Sequence, residues 1–424
     1  MLETAYSANA LRALIVATLI FAINFAVWTL YAGLTEVLVA DLNLSLLELS
    51  GLLAAPILTG ALCRIPSGWL VQYFKPKVLM TSQMILVLPA LIFLPHIDSY
   101  WGFFAVGLWF GLAGCSFTFG ITYVSQFYPS GSQGLVMGLF GVGNAGAALS
   151  LVLAPELQHQ WSLVSWVYSG VLLLGLFLWV MLAPVDNDYP KKGQTSILPY
   201  LKQLRVWRMG LYYYFVFGSF LALLVWLPHY YMQAYGLTVR QATAYTLVFL
   251  VSSSVIRALG GWFADRYGAR SVNWGVFWVS IMSLFFLSYP PTTFIIHGIE
   301  ADVTMLVEIN VGVFTFLLTV MGLAQGFGRA SVYKLINNYY PDAIGPVGGL
   351  VGAFGALGGC TLPILFGFFT EAFGFYSVSF MLLYGVAAFC MIAMYFSVRS
   401  EKLNDYLREQ STNNFIESEE QYRP

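Results

Sequence analysis

Apolar residues in this chain come in long runs broken by short polar stretches. A run must approach ~20 residues to cross a bilayer as a helix. Twelve runs do, covering approximately 12–35, 49–72, 77–95, 101–127, 133–154, 163–184, 207–231, 241–263, 272–290, 309–333, 346–369 and 376–398. The boundaries are least sharp around 35–50 and 333–346. A polar stretch at 186–207, with Lys191, Lys192, Lys202 and Arg205, divides the runs six and six. The pattern predicts an N-terminal half over 1–185, a linker over 186–206, a C-terminal half over 207–398 and a tail over 399–424.

Composition agrees with that pattern and excludes a soluble domain. Of 424 residues, 59% are hydrophobic, 9% are charged and 34 are Phe, which places the chain among polytopic membrane proteins. The first run begins near Leu11 without a small-residue cleavage site, so it reads as a retained span and not a signal peptide. Cys63, Cys115, Cys360 and Cys390 all fall in apolar runs, where they read as packing residues, with no disulfide framework or metal site implied. No Ser/His/Asp cluster or phosphate loop points to an enzyme, and no cofactor or nucleic acid is called for. The chain is expected to work as a monomer in the lipid bilayer.

Positive charge sets the expected orientation. Lys75, Lys77, the linker, Arg266, Arg270, Lys334, Arg399, Lys402 and Arg408 fall on one side, against Arg240 on the other. The opposite loops carry Asp41, Glu48, Asp98, Glu156, Glu300, Asp302 and Glu308. Both termini are therefore expected in the cytoplasm of a multi-pass plasma (inner) membrane protein.

Two arginines stand inside apolar runs at matching places in the halves: Arg64-Ile-Pro-Ser-Gly68-Trp69 and Arg257-Ala-Leu-Gly-Gly261-Trp262. Arg64 lies eleven residues before Lys75, roughly 16 Å along a helix and so near the middle of a ~30 Å core. Arg257, nine residues before Arg266, is at similar depth. A buried guanidinium stays charged and costs at least ~2.5–3.5 kcal/mol in hydrocarbon, so the pair needs compensation. Every Asp and Glu falls in a loop, in a tail or near a span end, which leaves water or a bound anion as the partner. Aromatic stripes at Tyr212-Tyr-Tyr-Phe-Val-Phe217 and at Phe117-Thr-Phe119 suit a flat slot for a small planar oxyanion, because guanidinium forks match planar oxygen pairs.

The halves also repeat one another in detail. Phe127-Tyr-Pro129 precedes a series containing Gly134, Gly138, Gly141, Gly143 and Gly146, and Tyr339-Tyr-Pro341 precedes one containing Gly348, Gly349, Gly352, Gly355, Gly358 and Gly359. Small residues at such spacing let helices approach closely. Gly261-Trp-Phe-Ala-Asp265-Arg266-Tyr-Gly268-Ala-Arg270 resembles the loop motif of the major facilitator superfamily, and Gly68-Trp-Leu-Val-Gln72-Tyr-Phe-Lys75-Pro-Lys77 is a decayed copy. The resemblance implies an all-α polytopic membrane protein with twelve transmembrane helices in two six-helix bundles, a midplane substrate site and alternating access. It also implies a gating role for Asp265, Arg266 and Arg270. Gln72 replaces the acid in the first copy, which puts that half of the latch in question.

Taken with Arg64 and Arg257, the paired glycine segments are similar to the signatures of the nitrate/nitrite porter family within that superfamily. The resemblance implies that Arg64 and Arg257 clamp nitrate or nitrite, with Phe117, Tyr213, Phe217 and Asn144 also at the substrate. In span ten, Gly326-Phe-Gly328-Arg329 resembles a branch associated with proton-coupled uptake, and Arg329 is expected toward the cytoplasmic third of its helix. It either snorkels to the inner headgroups or takes part in the exit path. His96, His159, His229 and His297 lie at outer span ends and no mid-span carboxylate exists, so the usual proton carriers are absent and the residues favour nitrate/nitrite exchange, whereas the branch resemblance favours symport with protons. Alternatives are transport of another small anion or organic acid in the same fold, or a membrane sensor without transport.

Overall fold

The structure is a computed structural model that describes residues 8–157, 160–185, 196–297 and 302–420, with the backbone alone beyond 400. Lys191, Lys192, His159, Glu300 and the side chains of Lys402 and Arg408 lie outside the described residues. Among the described residues, twelve helices are long and apolar enough to cross a membrane. Spans 1 to 6 are Ala8–Trp28, Leu46–Leu70, Pro76–His96, Tyr100–Ser125, Gln133–Leu157 and Trp161–Leu182; spans 7 to 12 are Leu204–Tyr235, Val239–Tyr267, Ala269–Leu287, Val311–Tyr339, Pro341–Phe373 and Val378–Ser400. Large apolar side chains such as Phe177, Phe285 and Phe316 stay exposed on the outer surface, as a lipid-facing surface requires.

The two uncertain boundaries resolve through local chemistry. Span 1 ends at Trp28, and helical turns at Leu30–Gly33 and Thr35–Leu42 carry the chain on to Asn43, whose φ of 49° ends them. Asn tolerates that left-handed conformation better than most residues. Span 2 then starts from a capping box, in which the Ser45 side chain accepts from Glu48 N and Glu48 accepts from Ser45 N. Span 10 runs on to Tyr339, and a 3-10 turn at Pro341–Ala343 leads into span 11. Between spans 9 and 10, the apolar-run pattern missed an antiparallel hairpin, β1 (Thr292–His297) and β2 (Asp302–Val307).

Contacts gather the basic connections at one face. Lys77 Nζ donates to Ala183 O at 2.6 Å, Tyr340 OH to Gln203 Oε1 at 2.5 Å, and Arg208 to Ser397 Oγ. This is the linker face. On the opposite face, Trp161 Nε1 donates to Asp41 at 3.2 Å and Leu47 N to Glu371 at 3.1 Å.

The halves meet through two related helix pairs, span 2 with span 11 and span 8 with span 5. Glycine makes this possible. A Cβ on Gly68 would lie 2.5 Å from Gly345 O, and one on Gly261 would lie 2.0 Å from Gly134 O. These are the glycines of the matched Gly-Trp pairs, so that repeat marks where each half backs onto the first turns of the other's glycine-rich helix.

Candidate functional site

Four spans depart from regular α-helix around one centre. Span 4 tightens to 3-10 geometry over Gly111–Cys115 and span 5 over Val142–Gly146; span 7 widens to a π-turn over Tyr214–Ser219, and span 8 is broken by a turn at Ile256. Such interruptions release or re-aim backbone groups, and inside a membrane protein they are tolerated where the protein's own interior uses them. Each one abuts a candidate residue. Gly114 carbonyl receives Arg64, Asn144 lies within the span 5 stretch, Tyr213 and Phe217 flank the π-turn, and Arg257 directly follows Ile256.

Arg64 is fully buried. Its Nε donates to Gly114 O at 3.3 Å and its Nη1 to Gly352 O at 3.0 Å, the second bond crossing from one half to the other. Three rings surround its Cζ: Trp28 at 5.2 Å, Phe117 at 5.3 Å and Phe217 at 5.0 Å. Phe117 also lies 5.2 Å from Arg257 Cζ, so one ring serves both guanidinium groups. Tyr213 stacks on Phe217 with centroids 5.0 Å apart, and Tyr333 stands edge-on to both Tyr213 and Phe117. Desolvated cation–π contacts contribute about 2 kcal/mol, which offsets part of the burial cost and leaves the charge in place.

Arg257 and Arg329 share a partner. Guanidinium groups only donate, so the Asn144 amide oxygen faces them, accepting from Arg257 Nη1 at 3.1 Å and Arg329 Nη1 at 2.9 Å. Arg329 Nη2 donates to Ser253 O at 2.5 Å and Ser253 Oγ at 2.7 Å, with Phe220 beneath its Cζ at 3.8 Å. Its side chain is fully buried. Of the two readings of Arg329, snorkelling does not hold: the side chain points into the protein beside Arg257, because Ser253 and Asn144 offer acceptors that the apolar path to the headgroups does not.

Several buried donors here have no partner: Arg64 Nη2, Arg257 Nε and Nη2, Arg329 Nε and Tyr213 OH. Among the described residues, the buried charged side chains are Arg64, Arg257, Arg329 and Lys334, without a buried Asp or Glu. Three clustered cations with spare donors and no carboxylate form a site built to hold negative charge. Trp28, Tyr333, Ser253 and Phe220 belong to it although the sequence singles out none of them as a site residue. Aromatic residues in an apolar run carry no mark of which face they take. Ser253 did stand out as polar within span 8, in the Ser252-Ser-Ser254 triplet one turn before Arg257.

The family model described as Major Facilitator Superfamily matches residues 16–309. A probable nitrate/nitrite antiporter of Thermus thermophilus is 32% identical over 406 residues, covering 92% of this chain and 91% of that protein. The chain belongs to the nitrate/nitrite porter family of the major facilitator superfamily. A nitrite extrusion protein of Bacillus subtilis is 28% identical over 92% of this chain and 94% of its own length. A probable nitrate transporter of Staphylococcus carnosus is 28% identical over 88% of this chain and 93% of its own. In fold, the crystal structure of the human organic anion transporter MFSD10 (TETRAN) superposes with a TM-score of 0.70 at 14% identity, covering 91% of this chain and 99% of that one.

Within this porter, the signature glycines fall into two groups. Gly141, Gly352 and Gly355 make room for site side chains: a Cβ would lie 2.2 Å from Arg257 Nε, 2.9 Å from Tyr333 OH and 2.2 Å from Tyr213 Cδ1, respectively. Gly138, Gly143, Gly146, Gly358 and Gly359 instead admit a neighbouring helix, Gly138 against Arg257 O at 2.5 Å and Gly146 against Ala22 O at 1.9 Å.

At the linker face of the porter, Asp265 reaches across to the other half. Its Oδ2 accepts from Leu135 N at 2.9 Å, in the first turn of span 5, and its Oδ1 lies 2.7 Å from Lys334 Nζ. A helix N-terminus favours a carboxylate through its free amides and dipole. Arg266 is exposed and lies over Trp262 and Tyr267 of its own span, and Arg270 donates to Tyr339 OH at 2.5 Å, so neither bond reaches the other half. At the matching place, Gln72 lines a cavity of about 110 Å³ beside Ile344 and Gly345 of span 11. Gln72 carries no charge, so it cannot repeat the carboxylate contact that Asp265 makes.

Proposed function

We propose that this porter carries nitrate and nitrite across the membrane by alternating access, the anion held between the guanidinium groups of Arg64 and Arg257. The observation that carries this reading is the set of buried donors without partners, Arg64 Nη2, Arg257 Nε and Nη2 and Tyr213 OH, in a core whose buried charges are all positive. Phe117 beneath both guanidinium planes and the Phe217–Tyr213 stack make the slot flat. A planar oxyanion offers paired oxygens to each fork and a flat face to the rings beside them. The names of the Thermus, Bacillus and Staphylococcus relatives accord with that substrate.

The mode is exchange. Nitrate is the anion of a strong acid and carries no proton, and the candidate site has no carboxylate or histidine to carry one for it. With no anion between them, two facing cations repel at low dielectric, so the halves rock readily only with a monoanion in place, whichever of the two it is. The moving bodies are residues 1–185 and 207–398, joined by the linker at 186–206, with the linker face cytoplasmic. They part at the contacts of span 2 with span 11 and of span 5 with span 8, where Asp265 fastens one side. Asn144, held by Arg329, sets the angle at which Arg257 meets the anion.

The test is the charge-conserving substitution. Arg64→Lys and Arg257→Lys keep a cation but lose the planar fork, so each variant should insert and fold while equilibrium binding of nitrate is abolished. Near-normal nitrate binding by either folded variant would rule out the clamp.

A further inference from the structure

We propose that the cavity between the linker-face ends of spans 9 and 12 binds the headgroup of an anionic phospholipid. This cavity of about 610 Å³ is lined by none of the central arginines. Arg270 and Arg399 line it together with Trp274, Tyr395, Met394 and Val398. A smaller cavity beside it shares Arg270, Met394 and Val398 and adds Arg205 and Arg208. Four arginines thus converge on one spot, and among the described residues no lining residue of either cavity is acidic.

Their placement is held by specific contacts. Arg270 Nη2 donates to Tyr339 OH at 2.5 Å, the Arg205 guanidinium lies over the Tyr339 ring at 4.4 Å, and Arg208 donates to Ser397 Oγ. Tyr339 and Ser397 therefore gather the cations from behind, and Arg399 closes the far side. Guanidinium forks bind phosphate oxygens in pairs.

Depth argues for a lipid as the source of that phosphate. Arg270 is the second residue of span 9, and Arg399 directly follows the apolar run 376–398, in a helix that continues to Glu420, so both lie where a bilayer places its headgroups. Trp274 and Tyr395 each stand one turn further in, the level at which amphipathic rings collect. Beyond them the two spans present exposed apolar side chains, Trp278 and Met282 on one and Ile392 and Phe389 on the other. A ligand with a phosphate at one end and acyl chains at the other fits both parts. Basic cavities between spans at the inner leaflet are a recurrent form of lipid recognition. Such a lipid would tie span 12 to span 9, with Arg205 and Arg208 at the base of the linker.

The experiment uses the full-length protein in detergent. Thermal unfolding and native mass spectrometry are followed with added dioleoyl phosphatidylglycerol, dioleoyl phosphatidylcholine or inorganic phosphate. Phosphatidylglycerol should be retained through detergent exchange and raise the unfolding midpoint, and the other two should do neither. Arg399→Gln, at an exposed position, and Trp274→Ala should each weaken phosphatidylglycerol retention roughly tenfold. Equal retention of the zwitterionic lipid, an equal shift with inorganic phosphate, or undiminished selectivity in both variants would each overturn the proposal.

Discussion

Replacing Gly141 by alanine adds one carbon where the site has no room for it. The new Cβ would stand 2.2 Å from Arg257 Nε and 2.3 Å from its Cζ, against an ordinary contact of ~3.5–4.0 Å. The collision is with the far end of a flexible side chain, so the guanidinium yields and the helix does not. It must retreat by roughly 1.3 Å to reach ordinary contact. That displacement breaks the 3.1 Å bond to Asn144 and takes the fork out of register with Arg64. One hydrogen bond to a charged group contributes about 1.5–3 kcal/mol, so nitrate should bind roughly 10- to 150-fold more weakly. The assay is equilibrium nitrate binding to purified protein, with Gly275→Ala as the control, because a Cβ there meets nothing within 4 Å. Both variants should elute as folded protein on size exclusion. If folded Gly141→Ala binds nitrate as tightly as the parent, the placement of Arg257 against span 5 is wrong.

Two further outcomes are expected. Asp265→Asn removes the charge facing Lys334, whose ammonium lies 2.7 Å away, and costs at most about 3–5 kcal/mol; a single cysteine introduced at Ser132 should then react faster with maleimide, and slower or unchanged labelling would contradict the latch. Arg329→Lys gives up the paired bonds to Ser253 and the bond to Asn144, so nitrate affinity should fall about tenfold with the protein still folded, and unchanged affinity would show that Asn144 orients Arg257 unaided.

How far the chain can be read without its coordinates depends on which physical constraint acts at each position. A bilayer demands ~20 apolar residues per crossing, so the spans stand out. A cation in such a run is costly enough that Arg64 and Arg257 are conspicuous and their missing acid can be counted. The repeat of Gly68 and Gly261 was visible, but its cause, the approach of each to the first turns of span 11 or span 5, required the helices to be placed. Trp28 and Tyr333 escaped notice because aromatic side chains are equally at home facing lipid, core or ligand. The π-turn of span 7 and the 3-10 stretches of spans 4 and 5 leave no compositional trace. Arg329 stays open between two readings for a related reason: distance along the helix allows snorkelling, and only the acceptors on Ser253 and Asn144 decide its direction.

Exchange of an anion held between two arginines, without a proton carrier, is tested most directly by flux in proteoliposomes. Nitrate uptake is measured into vesicles loaded with nitrite, into anion-free vesicles with an inward proton gradient, and into anion-free vesicles with neither. Rapid uptake only into the nitrite-loaded vesicles, lost in Arg64→Lys, is the expected result. Proton-driven uptake into vesicles without an internal anion would contradict it.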